Sequence, residues 1–156
     1  MKVKMTAFQN LIHGLSILLL IIMCIYVIII WNDIPNKIPI HYNELGEVDM
    51  WGRKILVWFL PILGFIMYLY IGSGVVTLDT IKVPVIMDEK SKEGIMSSMN
   101  TLAEVYKVEI MVILFYMVVN IGNNHSIPSL FLPFYVLTII VIYGYFRLRL
   151  YNLGVK

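Results

Sequence analysis

The sequence predicts an all-α membrane protein, in which a bundle of four transmembrane helices carries a structured extracellular loop and a cytoplasmic amphipathic segment. Of the 156 residues, 60% are hydrophobic and 14% are charged, whereas soluble domains average about 25% charged residues. The apolar residues also occur in long blocks, and about 20 of them suffice for one helix to cross a bilayer. We expect a single integral membrane domain over residues 1–156.

The first predicted span covers residues 11–31, and residues 17–31 contain neither a charged residue nor a proline. Lys2 and Lys4 precede the block, as in a secretory signal peptide. The block is longer than a signal sequence requires and lacks a small-residue cleavage pattern. We therefore expect an uncleaved transmembrane helix. The single cysteine, Cys24, lies within it, which excludes a disulfide inside the chain.

Three further apolar blocks predict spans at about residues 55–76, 105–121 and 128–146. Pro61 falls inside the second block, where neighbouring helices can satisfy the backbone group that a proline leaves free. Gly64 follows it, and small residues allow membrane helices to approach closely.

The inner connector at residues 77–104 predicts an amphipathic helix. Its apolar residues recur at steps of three and four, which is a helical spacing. Such a helix lies on the membrane surface or continues into the third span, and a cytoplasmic regulator could dock on it. The residues of this stripe are Ile95, Met96, Met99, Leu102, Ala103 and Tyr106.

The basic residues predict the orientation. Nine of the 12 lysines and arginines fall in the N-terminus, residues 79–107 and the C-terminal tail, and basic segments stay in the cytoplasm. The expected localisation is the cytoplasmic membrane, with both termini cytoplasmic and the loop at residues 32–54 outside. The net charge of +2 is scattered, so the bilayer and not nucleic acid is the expected partner.

The outer loop at residues 32–54 is the most distinctive segment. Pro39 favours extended backbone at itself and at the residue before it. Residues 43–46 suit a turn, with asparagine first and glycine last. Trp31 and Trp51 flank the loop, and tryptophan prefers the membrane interface. We expect a short, constrained cap that is held at both ends.

The candidate functional residues lie in this loop. His41, Glu47 and Asp49 are weak candidates for a metal site, because imidazole and carboxylate groups ligate metals, although the spacing matches no established motif. His41 could instead form structural hydrogen bonds, or bind a ligand and respond to pH. The complete set expected to organise the loop or bind a ligand is Pro39, His41, Asn43, Gly46, Glu47, Asp49, Trp51 and Lys54.

Enzyme activity is not expected. His41 and Glu47 could act as base and acid, and His125 lies on the same predicted side, but the loop contains no serine or cysteine nucleophile. Cofactor motifs such as a glycine-rich phosphate loop are absent, and no cofactor is expected. Transport is disfavoured because ionisable residues such as Lys107 and Glu109 lie near the ends of the predicted spans.

The same loop resembles a bacterial membrane family, the domain of unknown function at the N-terminus of SdpI-type immunity proteins. Its members carry a proline, an I-P-x-H-[FWY]-[ND] stretch, then G-E-x-D, an aromatic residue and a lysine, before a second span. The resemblance covers about residues 31–61. The matching residues are Pro35, Ile38-Pro39, His41-Tyr42-Asn43, Gly46-Glu47, Asp49, Trp51, Lys54 and Pro61.

The resemblance implies a non-enzymatic, multi-pass protein that gives immunity to, or senses, a secreted antimicrobial peptide through the outer loop. Some relatives hold a transcriptional repressor at the membrane when the toxin is present, which implies a cytoplasmic regulator as an inner partner. SdpI-type immunity proteins have further C-terminal spans that the four spans expected here do not include. Two alternatives stay open: a metal-dependent membrane enzyme or small transporter, and an accessory subunit of a larger complex. A homo-oligomer is compatible with each.

Overall fold

The computed structural model describes residues 4–72, 88–123 and 127–154. His125, the end of the second expected span and the first part of the inner connector lie outside the described residues. The described elements, in chain order, are α1 (Ala7–Ile30), β1 (Lys37–Tyr42), β2 (Val48–Arg53), a 3₁₀ helix (Lys54–Trp58), α2 (Phe59–Gly72), α3 (Glu89–Gly122) and α4 (Phe131–Asn152).

The two strands correct the all-α prediction. β1 and β2 pair in an antiparallel sheet, and residues 37–53 are called the hairpin below. Proline favours extended backbone, and Pro39 pairs with Trp51 beside a register shift, the kind of position at which a strand tolerates a residue without an N–H group. The expected turn then lets the chain return alongside itself, so two strands form where a loop was expected.

Among the residues that the structure describes, three helical segments are long and apolar enough to cross a membrane: Ala7–Ile30, Lys54–Ile71 and Pro133–Asn152. Within the described residues, α3 is a continuous helix of 34 residues but does not meet the same criterion of length and composition. The structure thus supports three of the four expected spans on that criterion. It also shows that the amphipathic part of the connector continues directly into the third predicted span.

α3 is the central helix of the bundle. It contacts α1, α2 and α4, and between residues 94 and 122 only Val112 is exposed. A helix that is surrounded by protein can carry polar groups that a lipid-facing helix would exclude. This position explains why α3 contains more charged residues than its neighbours do.

α1 and α3 run parallel to each other. Gln9, near the start of α1, hydrogen-bonds Thr101 in the first half of α3. At the other end of both helices, a Cβ atom on Gly122 would touch the side chain of Ile30. The α1 residues that face the bundle recur at alternating steps of four and three, as in a coiled-coil seam. They are Gln9, His13, Ser16, Leu20, Met23, Val27 and Ile30.

The apolar core lies in the half of the bundle nearest the hairpin, which we call the hairpin end. Gly64 of α2 sits at the crossing of three helices, because a Cβ atom there would lie 3.1 Å from Met23 Cε and 3.3 Å from Leu114 Cδ1. This glycine therefore permits the close approach expected of it. The buried core residues are Met23, Val27, Ile34, Ile38, Val57, Leu60, Leu114, Val118 and Ile121.

Candidate functional site

Asn43 shapes the tip of the hairpin. Its side-chain oxygen accepts hydrogen bonds from the backbone N–H groups of Leu45 and Glu47, both at 2.9 Å. Its amide nitrogen donates to a carboxylate oxygen of Glu47 at 3.0 Å. Asparagine commonly stabilises turns in this way, so the roles of Asn43 and Glu47 in this structure are to fix the turn.

Gly46 attaches the tip to the rest of the bundle. Its φ of +80° lies in the left-handed region, which glycine adopts without steric cost. Its carbonyl oxygen accepts a hydrogen bond from the backbone N–H of Ile127 at 3.2 Å. A Cβ atom at this position would overlap the carbonyl oxygen of Ile127. The tip therefore rests on the chain that precedes α4.

Lys54 fastens the other end of the hairpin to α1. Its Nζ donates to the carbonyl oxygen of Trp31 at 3.4 Å and lies 4.7 Å from the centroid of the Trp31 ring. A cation near the last carbonyls of a helix is favourable, as is one over an aromatic face. The ring of Trp58 lies 6.4 Å from that of Trp31. Lys54 thus holds the start of the 3₁₀ helix against the end of α1.

Pro39 and Trp51 occupy opposite positions of the sheet with different surroundings. Pro39 is fully buried and adjoins Ile38, a core residue. Trp51 is 51% exposed, which fits the preference of tryptophan for a membrane interface. Pro39 therefore anchors the hairpin on the core, whereas the indole of Trp51 lies at the surface of the protein.

His41 and Asp49 form an exposed pair on the hairpin. His41 Nδ1 lies 2.6 Å from Asp49 Oδ1, and the side chains are 62% and 45% exposed. The ladder pairs His41 with Met50 and Tyr42 with Val48, so Asp49 is the extra residue of a β-bulge, which redirects its side chain. Exposed ion pairs stabilise proteins by about 0–1 kcal/mol. This pair therefore adds little to the fold and stays accessible.

A cavity of about 370 Å³ lies beside the pair, between the hairpin, α3 and the start of α4. Its wall is mainly apolar and includes Ile40, Met117 and Phe131, with His41 and Tyr42 at the hairpin. The hydroxyl of Tyr42 is buried and has no hydrogen-bond partner among the described residues. Burial, and to a lesser degree Tyr116, raises the pKa of Tyr42. Its hydroxyl therefore stays protonated at neutral pH.

The three weak metal candidates do not converge. Asp49 is paired with His41, while Glu47 is turned towards Asn43. The ranges that the structure describes contain no group of three or more histidine, cysteine, aspartate or glutamate side chains that could hold a metal. We therefore propose no metal site at the hairpin.

A second polar group, absent from the sequence-based set, lies in the other half of the bundle. Glu104 of α3 accepts from Lys107 Nζ at 2.7 Å through one oxygen and lies 3.1 Å from His13 Nδ1 through the other. His13 Nε2 lies 3.0 Å from the hydroxyl of Tyr68. We call His13, Tyr68, Glu104 and Lys107 the buried polar cluster; Glu104 is 7% and Lys107 2% exposed.

The sequence predicts Lys107 near the end of a span, and the structure brings it together with Glu104 and His13. One signal in the sequence could have revealed this cluster. The buried residues Met111, Leu114, Val118 and Ile121 follow alternating steps of three and four, and the same rhythm extended backwards reaches Lys107 and Glu104. Both charged residues therefore belong to the buried face of α3, where opposite charges must pair.

One comparison with known proteins finds a match. A family model described as "Domain of unknown function (DUF1648)" matches residues 18–65. That stretch includes the second half of α1, the whole hairpin and the start of α2, and with it all eight candidate residues. No curated protein and no solved structure matches. Together with the three apolar helices, the family match indicates a membrane protein similar to a family of unknown function.

Proposed function

We propose that this protein is a non-enzymatic, SdpI-like protein of the cytoplasmic membrane, which gives immunity to or senses a secreted antimicrobial peptide through its hairpin. The exposed His41–Asp49 pair carries this proposal. The other polar residues of the motif are engaged in the turn or in the contact with α1. The pair contributes little to stability, so its imidazole and carboxylate are free for a ligand.

The surroundings of the pair suit a peptide with both polar and apolar groups. The adjacent cavity of about 370 Å³ has a mainly apolar wall, and binding sites combine such walls with a few polar groups that fix orientation. Asp49 and the nearby Glu44 line a second, more open cavity with His41. Apolar side chains of the peptide would enter the first cavity, while its basic or amide groups would meet the carboxylates.

In this proposal α3 also crosses the membrane, as the third of four spans, and both termini are cytoplasmic. A helix of 34 residues is about 51 Å long at 1.5 Å per residue, whereas the bilayer core is about 30 Å thick. Its N-terminal part would extend from the membrane on the cytoplasmic side. A cytoplasmic regulator would dock there.

A survival assay tests the hairpin. Sensitive bacteria that express the intact chain, His41→Ala or Asp49→Asn would be challenged with a secreted toxic peptide of the Sdp type. A hydrogen bond to a charged group contributes about 1.5–3 kcal/mol, so each variant should need at least about tenfold less peptide to be killed. Asp33→Asn is the matched control, because Asp33 is an exposed carboxylate outside the hairpin.

Two outcomes would contradict the proposal at different points. Full protection by both variants, at membrane levels equal to those of the intact chain, would show that the His41–Asp49 pair is not needed for protection. No protection by the intact chain would exclude an immunity function. A sensing function would then be tested by the binding of labelled peptide to the purified protein in lipid nanodiscs. A stable protein that co-purifies in mild detergent, without peptide binding, would favour the accessory-subunit alternative.

A further inference from the structure

Arg149 lines two neighbouring cavities at the end of the bundle opposite the hairpin. The larger, of about 540 Å³, lies between the last turns of α4 and Gly94 of α3. The other, of about 340 Å³, lies where the start of α1 meets α3 and α4. Tyr145 also lines both cavities. The two cavities thus share a wall that contains Arg149, and together we call them the Arg149 groove.

The charge of the groove suits an anion. Arg149 is the one charged side chain among the described residues that line it, and these residues include no carboxylate. The ion pairs of the described residues do not include Arg149 either. Its positive charge is therefore not neutralised within the described part of the chain, and a cleft lined by one sign of charge attracts the opposite sign.

Two hydroxyl groups add hydrogen-bond donors to the groove. The buried Gln9 donates from its side-chain nitrogen to the Ser97 carbonyl oxygen and to Thr101 Oγ1, both at 2.8 Å. Thr101 in turn donates to that carbonyl oxygen at 2.9 Å, while Thr6 Oγ1 accepts from the backbone N–H of Gln9 at 3.2 Å. The hydroxyl hydrogens of Thr6 and Ser97 have no acceptor among the described residues. Both hydroxyls can therefore donate to a ligand.

Residues at the ends of two apolar helices form the groove. The apolar segment of α1 begins at Ala7, directly after Thr6, and Arg149 is in the last turn of α4. The ends of membrane helices lie among the lipid headgroups, where long basic side chains are favoured. The side chains of Phe8 and Leu148, which line the groove, are more than half exposed. A ligand that combines a negative charge with hydrocarbon chains would match both parts of this surface.

We propose that the Arg149 groove binds one anionic phospholipid. The planar guanidinium of Arg149 donates two parallel hydrogen bonds to the phosphate, a geometry that an ammonium group cannot provide. Ser97 and Thr6 donate to the remaining phosphate oxygens, and the acyl chains lie along Phe8 and Leu148. On the orientation proposed above, the lipid belongs to the cytoplasmic leaflet, whose anionic lipids attract basic groups of the protein. The site lies away from the hairpin and does not depend on the peptide.

Native mass spectrometry counts the lipids that stay bound to the full chain after its release from detergent micelles. Phosphatidylglycerol, which is anionic, would be compared with phosphatidylcholine, which carries the same phosphate but no net charge. The variant Arg149→Gln removes the guanidinium. Arg147→Gln is the matched control, because Arg147 is exposed on the same helix, carries the same charge and lines neither cavity.

We expect one phosphatidylglycerol to bind the intact chain more tightly than phosphatidylcholine does. Arg149→Gln should weaken this binding by about tenfold or more, since a hydrogen bond to a charged group contributes that much, whereas Arg147→Gln should bind as the intact chain does. Equal weakening in the two variants would show attraction by charge alone and would overturn the proposal. Equal binding of the two lipids would also overturn it.

Soluble glycerol phosphate separates a lipid site from a site for a free anion, because it carries the phosphate ester without acyl chains. Displacement of phosphatidylglycerol by an equal concentration of glycerol phosphate would overturn the lipid assignment. Arg149→Lys covers the case in which Arg149→Gln does not fold, because it keeps the positive charge. It should bind phosphatidylglycerol several-fold more weakly than the intact chain, and unchanged binding would overturn the two-bond contact with the phosphate.

Discussion

Gly46 shows how one residue sets the position of the hairpin. Its left-handed backbone and its contact with Ile127 leave no space for a side chain. A left-handed conformation costs about 1–2 kcal/mol for a residue other than glycine, and the overlap with Ile127 adds to this cost. Replacement of this residue therefore acts on the turn and on the docking of the tip together.

Gly46→Ala should lower the free energy of unfolding by at least about 1–2 kcal/mol, measured by thermal unfolding in detergent. Gly14→Ala is the control, because a Cβ atom at Gly14 meets nothing within 4 Å and alanine is favoured over glycine in a helix by about 0.5–1 kcal/mol. A Gly46→Ala variant as stable as the Gly14→Ala variant would contradict the close contact with Ile127.

The residues of the hairpin differ in how well the sequence predicts them. The turn at residues 43–46 follows from local chemistry, because asparagine and glycine favour it wherever they occur at this spacing. The approach of His41 to Asp49 depends on the bulge at Asp49. A bulge changes which side chains face each other, and the residue types alone do not reveal its position. The sequence therefore identifies His41 and Asp49 as candidate residues, but it does not predict that their side chains touch.

At the scale of the element, α3 depends on the pairing of Glu104 with Lys107. Removal of one member of a buried ion pair costs about 3–5 kcal/mol because the other charge is left uncompensated. Lys107→Met should therefore destabilise the protein strongly, as measured by unfolding in mixed micelles. The double variant Glu104→Gln with Lys107→Met removes both charges and should recover most of the loss.

A single Lys107→Met variant with the stability of the intact protein would show that Glu104 does not need its partner. Equal losses in the single and double variants would assign the effect to lost packing of the lysine side chain. The two comparisons therefore separate charge compensation from volume at the same position.

The sequence predicts α3 less completely than it predicts α1. A hydropathy prediction considers each helix without its neighbours. This suffices for α1, because residues 11–31 are almost entirely apolar. In α3 the polar residues Glu104, Lys107 and Glu109 are compensated by side chains from three other helices. Such compensation depends on tertiary contacts, so composition alone makes α3 look like a surface helix that leads into a short span.

At the scale of the whole molecule, the uneven distribution of basic residues predicts that the hairpin lies outside the cell. Single cysteines in a Cys24→Ser background test this orientation with a membrane-impermeant maleimide on intact cells. Met50→Cys, on the exposed hairpin, should be labelled at once, and Lys90→Cys, at the exposed start of α3, only after lysis. The reverse pattern would invert the orientation and would place the proposed peptide site in the cytoplasm.

The contact between Gly46 and Ile127 also has a consequence for synthesis of the protein. The hairpin leaves the ribosome well before Ile127, and α3 lies between them in the chain. The tip cannot reach its final place until that central helix has entered the bundle. Docking of the tip is therefore a late event of assembly. A molecule whose hairpin is docked has already placed α3 in the bundle and synthesised the chain that leads into α4.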